Sequence, residues 1–126
     1  MARDAIQPPD VVTPKAPYSP VVVSGDHVFT AGQVAFDATG VVVAEDMEAQ
    51  TRQALRNVQS CLAAAGCTLE DVVKVNAYLA DLTDFHAYNT AYREFFSEPF
   101  PARTSVQAGL PHGLLVEIEA VARRPA

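Results

Sequence analysis

Apolar residues recur at three- and four-residue steps in two stretches of the chain, and this spacing predicts two helices. The first helix begins at Asp46, a good N-cap residue, and ends at Gly66, the residue type that usually follows a helix C-terminus. The second begins near Thr83 or Asp84 and is stopped by the prolines that start at Pro99. Its apolar face is expected to bury the aromatic residues Phe85, Tyr88, Tyr92, Phe95 and Phe96.

Alternation with a period of two predicts the strands. The strand expected over 72–80 would turn one apolar face inward, made of Val73, Val75, Ala77 and Leu79. Its other face would be polar and carry Lys74, Asn76 and Tyr78. Further strands are expected over 21–24, 27–31, 41–43, 103–108 and 116–123. The predicted order of elements is therefore β-β-β-α-β-α-β-β.

This order predicts an α+β fold in two layers, with a single sheet and two helices stacked on one of its faces. The other face is expected to be polar and to be covered by another subunit, and the residues assigned to it are Lys74, Asn76, Tyr78, Ser105 and Gln107. Residues 1–16 hold three prolines and show no period, so we expect a tail or a poorly ordered N-terminal arm before one domain over 17–126.

Composition excludes several classes of function. A chain of 126 residues with a net charge of −6 and only nine Lys and Arg residues is poorly suited to bind nucleic acid. No basic leader with an apolar run and no bilayer-spanning segment is present, so we expect a soluble, cytoplasmic protein without a membrane partner. Cys61 and Cys67 fit no zinc or redox spacing and are expected to be inert thiols.

The C-terminal quarter carries the candidate chemistry. Arg103 follows a rigid proline at the start of a strand-like stretch, and the strand 116–123 alternates apolar residues with Glu117 and Glu119. A cation beside carboxylates, in an acidic protein with no metal motif, predicts a site for a small carboxylate-bearing molecule. Arg suits this task because its planar fork can pair bidentately with a carboxylate. The alternative is that Arg103 pairs with a structural Glu.

Five short motifs follow one another along the chain: Pro17-Tyr18, Gly32-Gln33, Asn89-Thr90-Ala91-Tyr92, Pro101-Ala102-Arg103 and Glu117-Ile118-Glu119. In this order and spacing the chain closely resembles the Rid/YjgF family of enamine and imine deaminases, also known as endoribonuclease L-PSP or translation inhibitors. The resemblance runs from about Pro17 to Ala122. It implies a chorismate-mutase-like fold with a mixed sheet, and a homotrimer whose sheets surround a central axis and whose sites lie between subunits.

The resemblance also implies catalytic roles for three residues. Arg103 matches the family's Arg that binds the substrate carboxylate. Glu117 matches the acid that orients the attacking water, and Ser105 stands where well-known members carry Cys, at a position whose backbone carbonyl helps to hold that water. The alternative for Glu117 is an exposed strand residue without a catalytic role, and this is the interpretation that we prefer for Glu119 on the same strand.

Three more residues are implied to bind the substrate. Tyr18 matches an active-site Tyr, Asn89 matches an Asn that lines the site, and Gly32 allows the backbone to offer an N–H to the carboxylate. The alternatives are that Tyr18 is a buried aromatic residue without a role, that Asn89 is structural and that Gly32 is simply a turn glycine.

The implied reaction is hydrolysis of a 2-imino acid to a 2-oxo acid and ammonia, without a metal or an organic cofactor. One alternative is a related deaminase of a catabolic enamine such as 2-aminomuconate or 3-aminoacrylate, which a larger or differently charged pocket near Tyr88, Phe96 and residues 111–114 would favour. Another is a trimer that binds a small ligand without turnover. The acidic charge disfavours RNA cleavage.

Overall fold

A computed structural model describes residues 3–111 and 113–126, and in these ranges the chain forms a six-stranded mixed sheet with two helices on one face. The strands are β1 (Asp4–Ile6), β2 (Val21–Ser24), β3 (His27–Thr30), β4 (Val72–Leu79), β5 (Ala102–Gln107) and β6 (Val116–Arg123). The helices are α1 (Met47–Ala64) and α2 (Phe85–Tyr92). The sheet order is β1-β2-β3-β6-β4-β5, and only β4 and β5 pair in parallel. The predicted α+β fold is confirmed.

The core lies between the helices and one face of the sheet. Every second residue of β6, and of β4 from Val75 onward, is buried there, and Val75, Leu79 and Ile118 are fully inaccessible. The apolar stripe of α1 covers them, and its Leu55 is also 0% exposed. Burial of each such aliphatic side chain contributes roughly 1.5–3 kcal/mol, so this layer provides most of the driving force for folding.

The ends of α1 form as the sequence predicts. The Asp46 carboxylate accepts a hydrogen bond of 2.8 Å from the backbone N–H of Ala49, which satisfies one of the free donors of the first turn. Gly66 adopts a positive φ of 80° two residues after the helix, a conformation that glycine reaches without strain.

A buried glutamine ties α1 to the loops at the end of the sheet. Gln50 is 1% exposed, and its amide donates to the carbonyls of Ala44 at 3.0 Å and Gly113 at 2.7 Å. Its carbonyl accepts from the N–H of Leu115 at 2.8 Å. Three backbone groups therefore depend on one side chain, which fixes the approach of the chain to β6.

The register of β5 corrects one prediction. Arg103 lies opposite Val75 and Ser105 lies opposite Ala77, so both side chains are on the helix-covered face. Ser105 and Gln107 were expected on the uncovered face, and this was wrong. The β5 segment shows no apolar alternation that could indicate its inner face, and pairing with β4 sets it instead.

Two further expectations about strands were wrong. The N-terminal arm is not free of regular structure, because β1 pairs antiparallel with β2 through backbone hydrogen bonds that leave no side-chain pattern. The strand expected over 41–43 is a single bridge between Phe36 and Val42. The boundary of the domain at residue 17 stays a prediction.

Two details of β4 and α2 also differ from the prediction. A register shift between Val72 and Lys74 interrupts the alternation, so Val73 is 48% exposed instead of buried. α2 ends at Tyr92, well before Pro99, and Phe85 at its start is 38% exposed. No helix within residues 3–111 and 113–126 has the length and apolar character needed to span a membrane.

Candidate active site

Arg103 is held on an aromatic surface at the edge of the sheet. Its guanidinium carbon Cζ lies 4.7, 5.0 and 5.5 Å from the ring centroids of Tyr92, Tyr88 and Phe85. Nη1 donates a hydrogen bond of 2.8 Å to Asn89 Oδ1. Cation–π contacts and this hydrogen bond fix the plane of the fork.

The charge of Arg103 has no counter-ion in the described part of the chain. The ion pairs found there join Arg52 to Glu48 and Glu94, and no carboxylate lies within 4.0 Å of Arg103. The alternative of an Arg paired with a structural Glu therefore finds no support. An oriented and unpaired guanidinium is suited to bind an external carboxylate.

Tyr88 links Arg103 to Ser105. It is fully buried, and its hydroxyl lies 3.1 Å from Ser105 Oγ. Burial raises the pKa of Tyr88, although Ser105 and Arg103 oppose the shift, and burial raises the pKa of Tyr92 to about 12. Both phenols stay neutral near pH 7. Sequence reasoning treated these aromatic residues as core, although their spacing around Asn89 places them on one helix face with it.

A pocket of about 240 Å³ opens beside this cation. It is lined by Asn89, Tyr92, Arg93, Phe100, Pro101 and Arg103. Two arginines and two apolar residues are therefore among the lining of a space whose size suits a small organic anion.

Glu117 is packed against the backbone of Gly32. A Cβ placed on Gly32 would lie 2.7 Å from both Cδ and Oε2 of Glu117, so only glycine leaves room for the carboxylate in this position. The neighbouring Gln33 exchanges two backbone hydrogen bonds with Ile118, at 2.8 and 2.9 Å, which fixes this segment against β6. The close approach is thus a property of the strand pairing.

The two glutamates of β6 differ in their surroundings. Glu119 accepts hydrogen bonds from Tyr78 Oη at 3.1 Å and from Asn76 Nδ2 at 3.4 Å. Burial, and then the charge of Glu119, raise the pKa of the half-buried Glu117. A carboxyl that retains its proton to higher pH than usual is suited to general acid–base chemistry.

A second pocket of about 160 Å³ adjoins Glu117, and its lining includes Tyr18, Gly32, Gln33, Asn57 and Pro111. Tyr18 is 55% exposed at its edge, so the alternative of a buried aromatic residue is wrong. Asn57 supports the wall because its amide donates to the carbonyls of Val34 and Phe36, each at 2.9 Å.

The six candidate residues form two groups in one protomer. Arg103 and Ser105 lie on the helix-covered face beside Asn89, since their partners in β4 are buried. Glu117 lies opposite Tyr78, on the uncovered face, in the pocket that includes Tyr18 and Gly32. The sheet separates the two groups, so they cannot contact one small molecule within one protomer.

Other chemistry-bearing residues do not join these groups. Within residues 3–111 and 113–126, no three His, Cys, Asp or Glu side chains gather in a way that could hold a metal ion. Cys61 and Cys67 are buried free thiols, and burial raises the pKa of Cys61 to about 12. His112, and with it part of the loop expected to shape the pocket, lies outside the described residues.

The sequence matches the family model described as endoribonuclease L-PSP over residues 9–124. A RutC family protein of Pyrococcus horikoshii is 46% identical over 111 residues, covering 86% of this chain and 88% of the relative. A protein of Salmonella typhimurium named 2-iminobutanoate/2-iminopropanoate deaminase is 44% identical over 112 residues, with the same coverage of 86% and 88%. The crystal structure of E. coli TdcF with bound serine is similar with a TM-score of 0.89 and 35% identity, covering 97% of this chain and 99% of TdcF.

Proposed function

The chain belongs to the Rid/YjgF family, and from this membership we propose that it is a cofactor-free hydrolytic deaminase of reactive imines and enamines. Two relatives that are 44% and 41% identical to this chain are named 2-iminobutanoate/2-iminopropanoate deaminase. The bound serine in TdcF supports a small ligand that carries a carboxylate. The observation that carries the proposal is the oriented and unpaired Arg103 beside Asn89.

The active site is shared between two protomers of a homotrimer. Arg103 and Glu117 lie on opposite faces of one sheet, and each lines a pocket that the other does not touch. One substrate can meet both side chains only if a second protomer brings its own copy. The partly apolar uncovered face, which includes Phe29 at 42% and Val106 at 42% exposure, is the surface that such packing would bury.

In the proposed reaction, water adds to the C=N carbon of the 2-imino acid, and the resulting tetrahedral carbinolamine releases ammonia to leave the 2-oxo acid. The fork of Arg103 and the N–H of Gly32 hold the carboxylate, while Asn89 and Tyr18 enclose the substrate. Glu117 and the backbone carbonyl of Ser105 hold the water. Glu117 takes a proton as water adds and returns it to the departing nitrogen. Positioning and general acid–base catalysis together suffice for this electrophilic substrate.

A coupled assay tests the proposal. An amino acid oxidase generates the imine from alanine or leucine, and semicarbazide traps the imine that remains. Wild-type protein should accelerate loss of the imine, and Arg103→Ala should lower kcat/KM about 100-fold, because two charge-assisted hydrogen bonds of roughly 1.5 kcal/mol each are lost. Arg56→Ala, at an exposed position of α1, is the matched control. Absence of acceleration by the wild type would contradict the proposal.

A further inference from the structure

A second arginine lines the pocket beside Arg103. Arg93 follows the last residue of α2, is exposed, and borders the same space of about 240 Å³. Among residues 3–111 and 113–126, no carboxylate lies within 4.0 Å of its guanidinium. Its sequence neighbour Glu94 is engaged elsewhere, since both carboxylate oxygens accept hydrogen bonds from Arg52 at 2.8–3.1 Å.

Two unpaired cations around one pocket are unexpected in a protein with a net charge of −6. Acidic side chains outnumber Lys and Arg by 15 to 9, yet none neutralises this pair among the described residues. Like charges that share a pocket repel each other unless an anion lies between them. The arrangement therefore favours a ligand with more than one negative charge.

The remaining lining fits a compact ligand of this kind. Tyr92 is 4% exposed, and its hydroxyl has no hydrogen-bond partner in the described ranges. A buried hydroxyl without a partner is costly, and a ligand oxygen that reaches it would satisfy it. Phe100, 50% exposed, and Pro101 provide an apolar wall against which a short carbon chain can pack.

We propose that this pocket selects 2-imino acids that carry a second carboxylate on a short side chain. Arg103 binds the carboxylate next to the imine carbon, and Arg93 binds the distal carboxylate. The inference rests on the proposed function and assigns its substrate class. The reaction is the same hydrolysis: the oxygen of the water becomes the carbonyl oxygen of a 2-oxo dicarboxylate, and both hydrogens of the water leave on ammonia.

The experiment compares two imines in the coupled assay. One is derived from aspartate by an oxidase that accepts acidic amino acids, and the other from alanine. The readout is the ratio of kcat/KM for the aspartate-derived imine to that for the alanine-derived imine. We expect a ratio above one for the wild type. Arg93→Gln should lower the ratio about 10-fold, the factor that a charge-assisted hydrogen bond of about 1.5 kcal/mol provides.

Two further variants distinguish charge from general disturbance. Arg93→Lys should recover most of the ratio, because the positive charge that attracts the distal carboxylate is retained. Arg56→Gln removes one exposed positive charge of α1 and should leave the ratio unchanged. Thermal unfolding of each variant should match that of the wild type, because both substituted positions are exposed.

The outcomes separate this inference from the proposed function. If the wild type hydrolyses the alanine-derived imine but its ratio is below one, or Arg93→Gln leaves the ratio unchanged, the substrate class is wrong and the deaminase function stands. If the wild type accelerates the loss of neither imine, both are wrong.

Discussion

Gly32 gives the sharpest test of the position of Glu117. In Gly32→Ala, the new Cβ would lie 2.7 Å from Cδ and Oε2 and 2.9 Å from Cγ of Glu117. These are side-chain atoms near the free end of the glutamate, so the carboxylate can move away and the backbone need not. The φ angle of Gly32 is also one that alanine adopts without strain.

The size of the effect follows from this overlap. Glu117 must move by roughly 1 Å before Cδ reaches ordinary van der Waals contact at 3.4–4 Å. A displacement of about 1 Å at a catalytic group lowers activity by roughly 100-fold. Stability should fall by less than about 1 kcal/mol, below the 1–3 kcal/mol typical of overpacking, because a half-buried side chain can relax. Catalysis and stability should therefore separate in this variant.

The assay is imine hydrolysis by Gly32→Ala, with urea unfolding in parallel. Gly109→Ala is the matched control, since its Cβ would meet no atom within 4 Å and should leave both measurements unchanged. A double-mutant cycle with Glu117→Gln shows whether the effect acts through the glutamate. Full activity in Gly32→Ala, or a loss that adds independently to that of Glu117→Gln, would refute the reasoning.

Three other variants test separate parts of the site and fold. Glu119→Gln removes a charge that helps to raise the pKa of Glu117, so the Glu117 carboxylate should stay ionised to lower pH. The acidic limb of the pH profile of kcat/KM should therefore shift to lower pH, and an unchanged limb would count against this coupling. Gln50→Leu should lower the free energy of unfolding in urea by about 3 kcal/mol, since three backbone groups lose their partner; a loss below about 1 kcal/mol would contradict that role. Ser105→Ala should lower the free energy of unfolding by about 1 kcal/mol, because the hydrogen bond with Tyr88 is lost. It should lower kcat/KM less than 10-fold, because the proposed contact with the attacking water uses the backbone carbonyl. A loss of activity as large as that of Arg103→Ala would contradict this.

The sequence predicts the elements in which side chains alternate between core and solvent. α1 shows a clear helical period and a matching N-cap at Asp46, and the first half of β6 alternates apolar residues with Glu117 and Glu119. β1 has three residues and pairs through its backbone, so no side-chain pattern marks it. β5 is an edge strand with little burial, and its facing follows from pairing with β4, which only the structure reveals.

The candidate site also has a part that the sequence predicts and a part that only the structure reveals. The residue types and their order suggest the family and the chemistry of Arg103 and Glu117. Their placement on opposite faces depends on the registers of β5 and β6 against β4. The position of β6 between β3 and β4 does not follow chain order. Arg93 was also not singled out from the sequence, because a single exposed arginine after a helix resembles an ordinary solvated residue until the structure places it at the pocket.

Mixing two inactive variants tests the shared active site most directly. Arg103→Ala and Glu117→Gln proteins are each purified, unfolded and refolded together in equal amounts, and the rate of imine hydrolysis is measured. If each site uses Arg103 of one protomer and Glu117 of the next, random assembly leaves about a quarter of the sites intact, and the mixture should regain about that share of wild-type activity. A mixture as inactive as its two components would contradict the account.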